Sequence, residues 1–163
     1  MSTPDPHVLD PAALPTPFTA DEIRDGTPAG RTLVVRVDVS GRPSSLRSTR
    51  FEDPDDEGAT MVRTPLGTDG EPSEDPTAER VTWRRLQEHA LFPAAGAVRE
   101  RAALTHPLGD LECLRYTVTD EDAVDVYWFD LARPGMPVLV DSRRGGTPVV
   151  TMTVLTDEVR PSQ

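Results

Sequence analysis

The chain has 163 residues and a formal net charge of −11, and all of its basic side chains apart from histidine are arginines. This length suits one domain with tails, and the 17 prolines and 11 glycines predict many turns and loops. The acidic balance argues against nucleic acid as a partner, because it repels phosphates and no basic stripe with interleaved aromatics is present. Anionic membrane surfaces are disfavoured for the same reason.

The N-terminal sequence, MSTPDPHVLDPAALPTPF, has neither the basic region nor the apolar region of a secretory signal. No apolar run reaches the length of a membrane span. Cys113 is the only cysteine, so an internal disulfide is impossible. These features predict a soluble, cytoplasmic protein without membrane insertion.

Residues 1–18 contain five prolines and are predicted to be an extended N-terminal tail, either loose or draped over the domain. A short helix follows. Thr19 and Glu22 have the spacing of a capping box, and Gly26 with Pro28 ends the helix soon afterwards.

Segments with a two-residue period come next. In RTLVVRVDV, the side chains of Leu33, Val35 and Val37 point to one face and those between them to the other. The predicted strands are 31–39, 46–52, 59–64, 97–104, 112–118, 124–129, 136–141 and 149–155. The Gly-, Pro-, Ser- and acid-rich segment 65–75 is predicted to be a flexible surface loop.

One long helix is predicted over residues 76–91. Asp75 provides an N-cap and Pro76 suits the first helical position. An apolar stripe with helical spacing follows, made of Val81, Trp83, Leu86 and Ala90. Phe92-Pro93 then ends the helix.

These elements predict a mainly β (α+β) fold. Short connections require antiparallel neighbours, so about eight strands should form a strongly curved antiparallel sheet or half-barrel around one main helix. A single β-rich domain is expected over residues 19–157, followed by a C-terminal tail at 158–163. The two tails and the loop 65–75 should be the most mobile segments.

No motif indicates a metal or a cofactor. The acidic turn Asp53–Gly58 matches the first half of a calcium loop, but Thr64 stands where that loop needs a bidentate Glu. The histidines lie far apart and have no Cys or Glu at ligand spacing: His7, His89 and His106. We therefore predict that the acidic turn is solvated and binds no metal, and that the histidines do not form a metal site.

Catalytic signatures are also missing. There is no Ser elbow, Walker loop or dinucleotide fingerprint in the sequence. Cys113 has no neighbouring His or Asn and is predicted to be a small buried hydrophobe. We therefore expect a protein that is not an enzyme; an enzyme using Cys113 or a histidine is the least favoured hypothesis.

The stretch YWFDLARPGMPV, residues 127–138, is the strongest functional signal. Gly135 is expected at a positive-φ turn position after Pro134, and Trp128 is expected to face inward with Val124 and Val126. The candidate pocket-lining residues are Trp83, Tyr116, Tyr127, Trp128, Phe129, Met136 and Met152. The alternative is that most of these side chains are packed core, which is the usual role of aromatic rows.

The segment around residues 109–140 carries a resemblance to known proteins. Gly109-Asp110 before a strand, the Tyr127-Trp128-Phe129 strand and the Pro134–Val138 reversal resemble a group of actinobacterial proteins. More distantly, the pattern is similar to the β-half-barrel class of LolA/LolB-like lipoprotein carriers. The resemblance implies a sheet curved over a helix, with an apolar concave surface that holds acyl chains or a protein segment. Unlike those carriers, this chain shows no export signal or lipobox cysteine.

Two functional hypotheses follow. The first is a non-enzymatic binding protein that holds an apolar small molecule or acyl chain in the concave face of the sheet, without a cofactor. The alternative is a cytoplasmic interaction or accessory module with a filled core, no ligand cavity and a protein partner. The sequence does not fix the oligomeric state.

Overall fold

The computed structural model describes residues 4–160, which form one open, curled sheet of nine antiparallel strands with two short helices. The helices are α1 (Ala20–Asp25) and α2 (Trp83–Glu88). The strands are β1 (Arg31–Val39), β2 (Ser45–Glu52), β3 (Gly58–Leu66), β4 (Thr77–Thr82), β5 (Ala97–His106), β6 (Gly109–Asp120), β7 (Ala123–Asp130), β8 (Leu139–Arg144) and β9 (Thr147–Val159). The predicted mainly β class, with its curved antiparallel sheet and little helix, is confirmed.

The strands are arranged in the order β4-β3-β2-β1-β9-β8-β7-β6-β5. The edge strands β4 and β5 are consecutive in the chain, so the connection 83–96 must pass from one edge of the sheet to the other. This connection contains α2, which packs against α1. Phe92, in the same connection, contacts the rings of Tyr116 and Tyr127 on the concave face. The sheet therefore curls around both helices.

The predicted long helix 76–91 is wrong in its first half. Residues 77–82 form β4, an added ninth strand in which Val81 pairs with Ala59 of β3. Thr77, Val81 and Thr82 are β-branched and suit a strand, and the strand pairs with β3, which is otherwise an edge. Thr82 is the true N-cap of α2, whose six residues follow it. Among residues 4–160, no helix is long and apolar enough to cross a membrane.

Several predicted boundaries also move. The strand expected at 136–141 is β8, which begins at Leu139 because Gly135 has φ +136° and Pro137 has no N–H to donate. β3 extends to Leu66, and β9 extends to Val159, beyond the expected end of the domain. The predicted tails also include residues 1–3 and 161–163, which lie outside the described residues.

The N-terminal segment is draped over the domain, which is one of the two arrangements expected for it. Thr16 and Phe18 are buried, and the backbone N–H of Leu14 donates to the carbonyl of Phe92 at 2.9 Å. The Tyr116 hydroxyl donates to the carbonyl of Pro15 at 2.6 Å. The capping box predicted for Thr19 at the start of α1 is present.

Aromatic side chains fill part of the concave side. Phe92 lies with its ring centroid 5.0 Å from that of Tyr116, and Phe129 meets Tyr116 edge-on at 5.6 Å. Trp83 is 3% exposed, and its indole N–H donates to the carbonyl of Asp55 at 2.7 Å. This packing explains why Trp83 and Tyr116 belong to the core.

Candidate functional site

A cavity of about 220 Å³ remains on the concave side of the sheet. Its walls come from β1, β2, β3, β7 and β9, from both helices, and from the loop before β8. Most of the lining is apolar and consists of Ile23, Leu33, Phe51, Met61, Leu86, Ala90, Tyr127, Phe129, Met136 and Met152. This cavity is the candidate site.

Strand alternation places these side chains together. On β2, Phe51 pairs across the strands with Met61 of β3, and both face the cavity. Two residues earlier on β2, Thr49 pairs with Arg63 of β3. Arg47, two residues before Thr49, is the next residue of β2 whose side chain faces inward. The β2–β3 wall therefore changes from apolar to cationic along the strands.

Arg47 is the unusual side chain in this wall. It is half-buried, and its Nη2 lies 3.4 Å from the Met152 sulfur. Its buried Nε–H has no hydrogen-bond acceptor among residues 4–160. Burial lowers the pKa of the Arg47 guanidinium, and the positive charge of Arg63 lowers it further. The group still carries its charge, because an arginine does not lose its proton in proteins.

Arg63 is more exposed and sits on the same wall. Its Nη1 lies 3.9 Å from Glu79 Oε1, between side chains that are 47% and 62% exposed. An ion pair this open to water is weak. With the exposed His89 at the end of α2, Arg63 marks the opening of the cavity.

Arg31, on the neighbouring strand β1, has a structural role instead. Its Nε and Nη2 bind both carboxylate oxygens of Asp157, at 3.0 and 2.7 Å. Its Nη1 donates to the carbonyls of Gly26 at 3.1 Å and Pro134 at 2.5 Å. Arg31 thus joins β1, β9, the end of α1 and the loop before β8, and its charge is already matched.

Four of the seven predicted pocket-lining residues line the cavity: Tyr127, Phe129, Met136 and Met152. Trp83 and Tyr116 are instead packed in the filled core beside it. Gly135 also borders the cavity and has the positive φ predicted for it.

The prediction that Trp128 faces inward is wrong. Tyr127 and Phe129 line the cavity, so alternation turns the side chain between them to the opposite face of the sheet. There Trp128 pairs with Arg115, whose guanidinium lies 5.0 Å from the centroid of the indole ring. The prediction placed Val124 and Val126 on the inward face of β7. The inward face instead carries Tyr127 and Phe129.

The arginines and the lining residues of β1, β2 and β3 were missed as site residues. A signal was present in SLRSTRFE, where Arg47 and Thr49 share the face of the buried Phe51. A cation on the inward set of a half-buried strand is costly unless something neutralises it. That pattern was the sequence indication of a polar group inside the curled sheet.

Cys113 and the histidines lie apart from the cavity, except for His89. Cys113 is fully buried, as predicted, and burial raises the pKa of its thiol to about 11, helped by the charges of Asp130 and Glu112. Its thiol is therefore protonated at neutral pH. His106 lies with Nε2 2.9 Å from the carbonyl oxygen of Val138, and its Nδ1 accepts from the N–H of Leu108 at 3.0 Å.

The acidic segment Asp53–Gly58 is a hydrogen-bonded turn. Asp55 Oδ1 accepts from the backbone N–H groups of Glu57 and Gly58, both at 2.9 Å, and these bonds lower the pKa of the carboxyl group. Its Oδ2 accepts from Arg80 at 2.5 Å. Within the described part of the chain, no three His, Cys, Asp or Glu side chains are grouped to hold a metal.

Comparison with known proteins found no matching family model and no curated protein of similar sequence. The resemblance to LolA/LolB-like carriers therefore stays a prediction, and function has to be argued from the cavity.

Proposed function

We propose that the chain is a non-enzymatic binding protein that holds a small apolar molecule, or the end of an acyl chain, in the 220 Å³ cavity. The observation that carries the proposal is the cavity itself, enclosed between sheet and helices and lined mainly by apolar side chains. Concave sites of this composition are the usual form of small-molecule sites.

The volume of the cavity limits the size of the ligand. Apolar cavities of about 150 Å³ bind benzene, so by proportion the 220 Å³ cavity admits about nine non-hydrogen atoms. Met61, Met136 and Met152 are among the lining residues, and methionine side chains adapt to differently shaped apolar ligands. A short acyl chain, or the end of a longer one, suits these dimensions.

The lining also supports binding rather than catalysis. In the part of the chain that the structure describes, the polar groups of the lining are arginines, threonines, His89 and the hydroxyl of Tyr127, with no carboxylate or thiol. A cytoplasmic location belongs to the same proposal. The alternative of an interaction module with a filled core is less supported, because the exposed large hydrophobic residues among positions 4–160 lie on four separate segments of the chain: Val8, Leu91, Val98 and Val159.

Titration with 1-octanol tests the proposal, because this alcohol is neutral and matches the cavity in size. Ala90→Leu fills the cavity, while Ala103→Leu makes the same change at an exposed position of β5. Octanol should raise the melting temperature of the wild type and of Ala103→Leu, but not that of Ala90→Leu, because only a folded protein with an open cavity binds it. Unchanged melting in all three proteins, or full stabilisation of Ala90→Leu, would refute the proposal.

A further inference from the structure

Arg47 differs from every other shielded arginine in the structure. Within residues 4–160, each of the other buried or half-buried arginines has a carboxylate within 4.0 Å: Arg24, Arg31, Arg50, Arg115 and Arg133. Arg47 has none, although the chain contains 28 acidic residues. A half-buried charge without a partner is unfavourable, so its position calls for a counter-ion from outside the fold.

The hydrogen-bonding capacity of Arg47 is also unused. Its enclosed Nε–H has no acceptor in the described part of the chain, and the Met152 sulfur is a weak acceptor for its Nη2. A guanidinium offers donors in a planar fork that matches two oxygens of a carboxylate or phosphate. The orphaned Nε–H is one arm of such a fork.

Arg63 lies in a position from which it would bind the same anion as Arg47. Arg47 and Arg63 are diagonal neighbours on the inward face of β2 and β3, because Arg63 pairs with Thr49. Diagonal positions in a sheet lie about 7–8 Å apart, within reach of long side chains. Two like charges this close disfavour each other, and an anion between them removes that repulsion. The only carboxylate near Arg63 is that of the exposed Glu79, within the described residues.

Beyond Thr49 and Arg63 the wall becomes apolar. Phe51 and Met61 lie one inward position further along β2 and β3, and Leu33 lies beside Thr49 on β1. The nearby Arg31 is already paired with Asp157, so this part of the cavity offers no unmatched partner for a charged group. A molecule that satisfies both ends has a short apolar tail and an anionic head.

Building on the proposed function, we infer that the ligand is an anionic amphiphile, with its tail among Leu33, Phe51 and Met61 and its carboxylate or phosphate head bound by Arg47 and Arg63. A charged head held by the fork should strengthen binding about ten-fold or more over a neutral head of similar size.

Isothermal titration calorimetry at about pH 7, where a carboxylic acid is ionised, tests the inference with four eight-carbon probes. Octanoate and octyl phosphate should each bind at least about ten-fold more tightly than 1-octanol, and octylammonium more weakly. The tighter of the two anions identifies the preferred head group. Equal binding of octanoate, octyl phosphate and octanol by the wild type would overturn the inference while leaving the proposed function intact. Failure of all four probes to bind would overturn both.

Variants locate the head group. Arg47→Met keeps an apolar stem of similar length, and it should reduce octanoate affinity to that of octanol without changing octanol affinity. Arg47→Lys keeps the charge but loses the fork, and should give an intermediate affinity. Arg42→Met makes the same change at an exposed position in the turn after β1 and should bind as the wild type does. Unchanged octanoate affinity in a folded Arg47→Met protein would contradict the assignment.

Discussion

The Arg31–Asp157 pair offers a sharp test of how the fold is held together. Both side chains are 7% exposed and joined by two hydrogen bonds, and Arg31 also binds two backbone carbonyls. Arg31→Met leaves Asp157 buried, with Arg133 Nη1 still 3.6 Å from Asp157 Oδ2. Removing one partner of a buried pair costs about 3–5 kcal/mol of unfolding free energy, because the remaining carboxylate loses both of its short hydrogen bonds. For a chain of this size, that loss lowers the melting temperature by roughly 6–20 °C.

Urea denaturation followed by circular dichroism measures this loss directly. The double variant Arg31→Met/Asp157→Leu should recover most of the stability, because neither charge of this pair is then left buried without its partner. Arg24→Met, which breaks ion pairs with the exposed carboxylates of Asp21 and Asp25 on α1, is the matched control and should melt as the wild type does. If Arg31→Met were as stable as this control, the pair would not be buried and the described packing of β1 against β9 would be wrong.

Three further predictions follow from single positions. Gly135→Ala should lower the free energy of unfolding by about 1 kcal/mol or more in denaturation experiments, because φ is +136° and the new Cβ would lie 3.2 Å from Arg31 Nη1. Unchanged stability would show that Gly135 does not occupy this turn position. Phe129→Ala should lower the free energy of unfolding by about 3–5 kcal/mol, and Trp128→Ala by clearly less, because of these two residues only Phe129 is buried in the core. A larger loss for Trp128→Ala would show that Trp128 faces inward. Cys113 should resist iodoacetamide at about pH 8 in the folded protein, and Cys113→Ala should reduce the fall in stability between pH 9 and about 11.

The sign of the last effect follows from the pKa. The thiol has a pKa of 9.0 when exposed and about 11 in the fold, so unfolding releases a proton between these values. Stability is therefore full below about pH 9 and decreases as the pH rises toward 11. A Cys113→Ala protein with the same pH profile as the wild type would show that the thiol is not buried.

Much of the sheet was predictable because its strands alternate and are separated by tight turns. β1, β2, β6 and β7 match the predicted segments within a few residues, since period-two patterns and local turns determine them. β4 was not predictable from the same cues. Its apolar Val81 also fits a helical stripe, and the choice was decided by the neighbouring strand β3, which the local sequence does not specify.

The site was only partly predictable for a similar reason. The aromatic and methionine residues near the C-terminal half were found from their clustering, and four of them line the cavity. Arg47 and Arg63 lie in a different hairpin, and their approach to Met152 and Tyr127 depends on how the sheet curls. Curvature arises from the packing of the whole sheet around the helices, so local patterns do not report it.

Carbon-13 methyl NMR of the folded protein tests the cavity most directly, using labelled methionine and valine with octanoate as the titrant. The methyl signals of Met61, Met136 and Met152 should shift together with a single dissociation constant, because all three line the same cavity. The methyl signals of Val98, which is 60% exposed on the opposite face of β5, should not move. Shifts confined to Val98, or no shifts at saturating octanoate, would contradict a ligand-binding cavity inside the curled sheet.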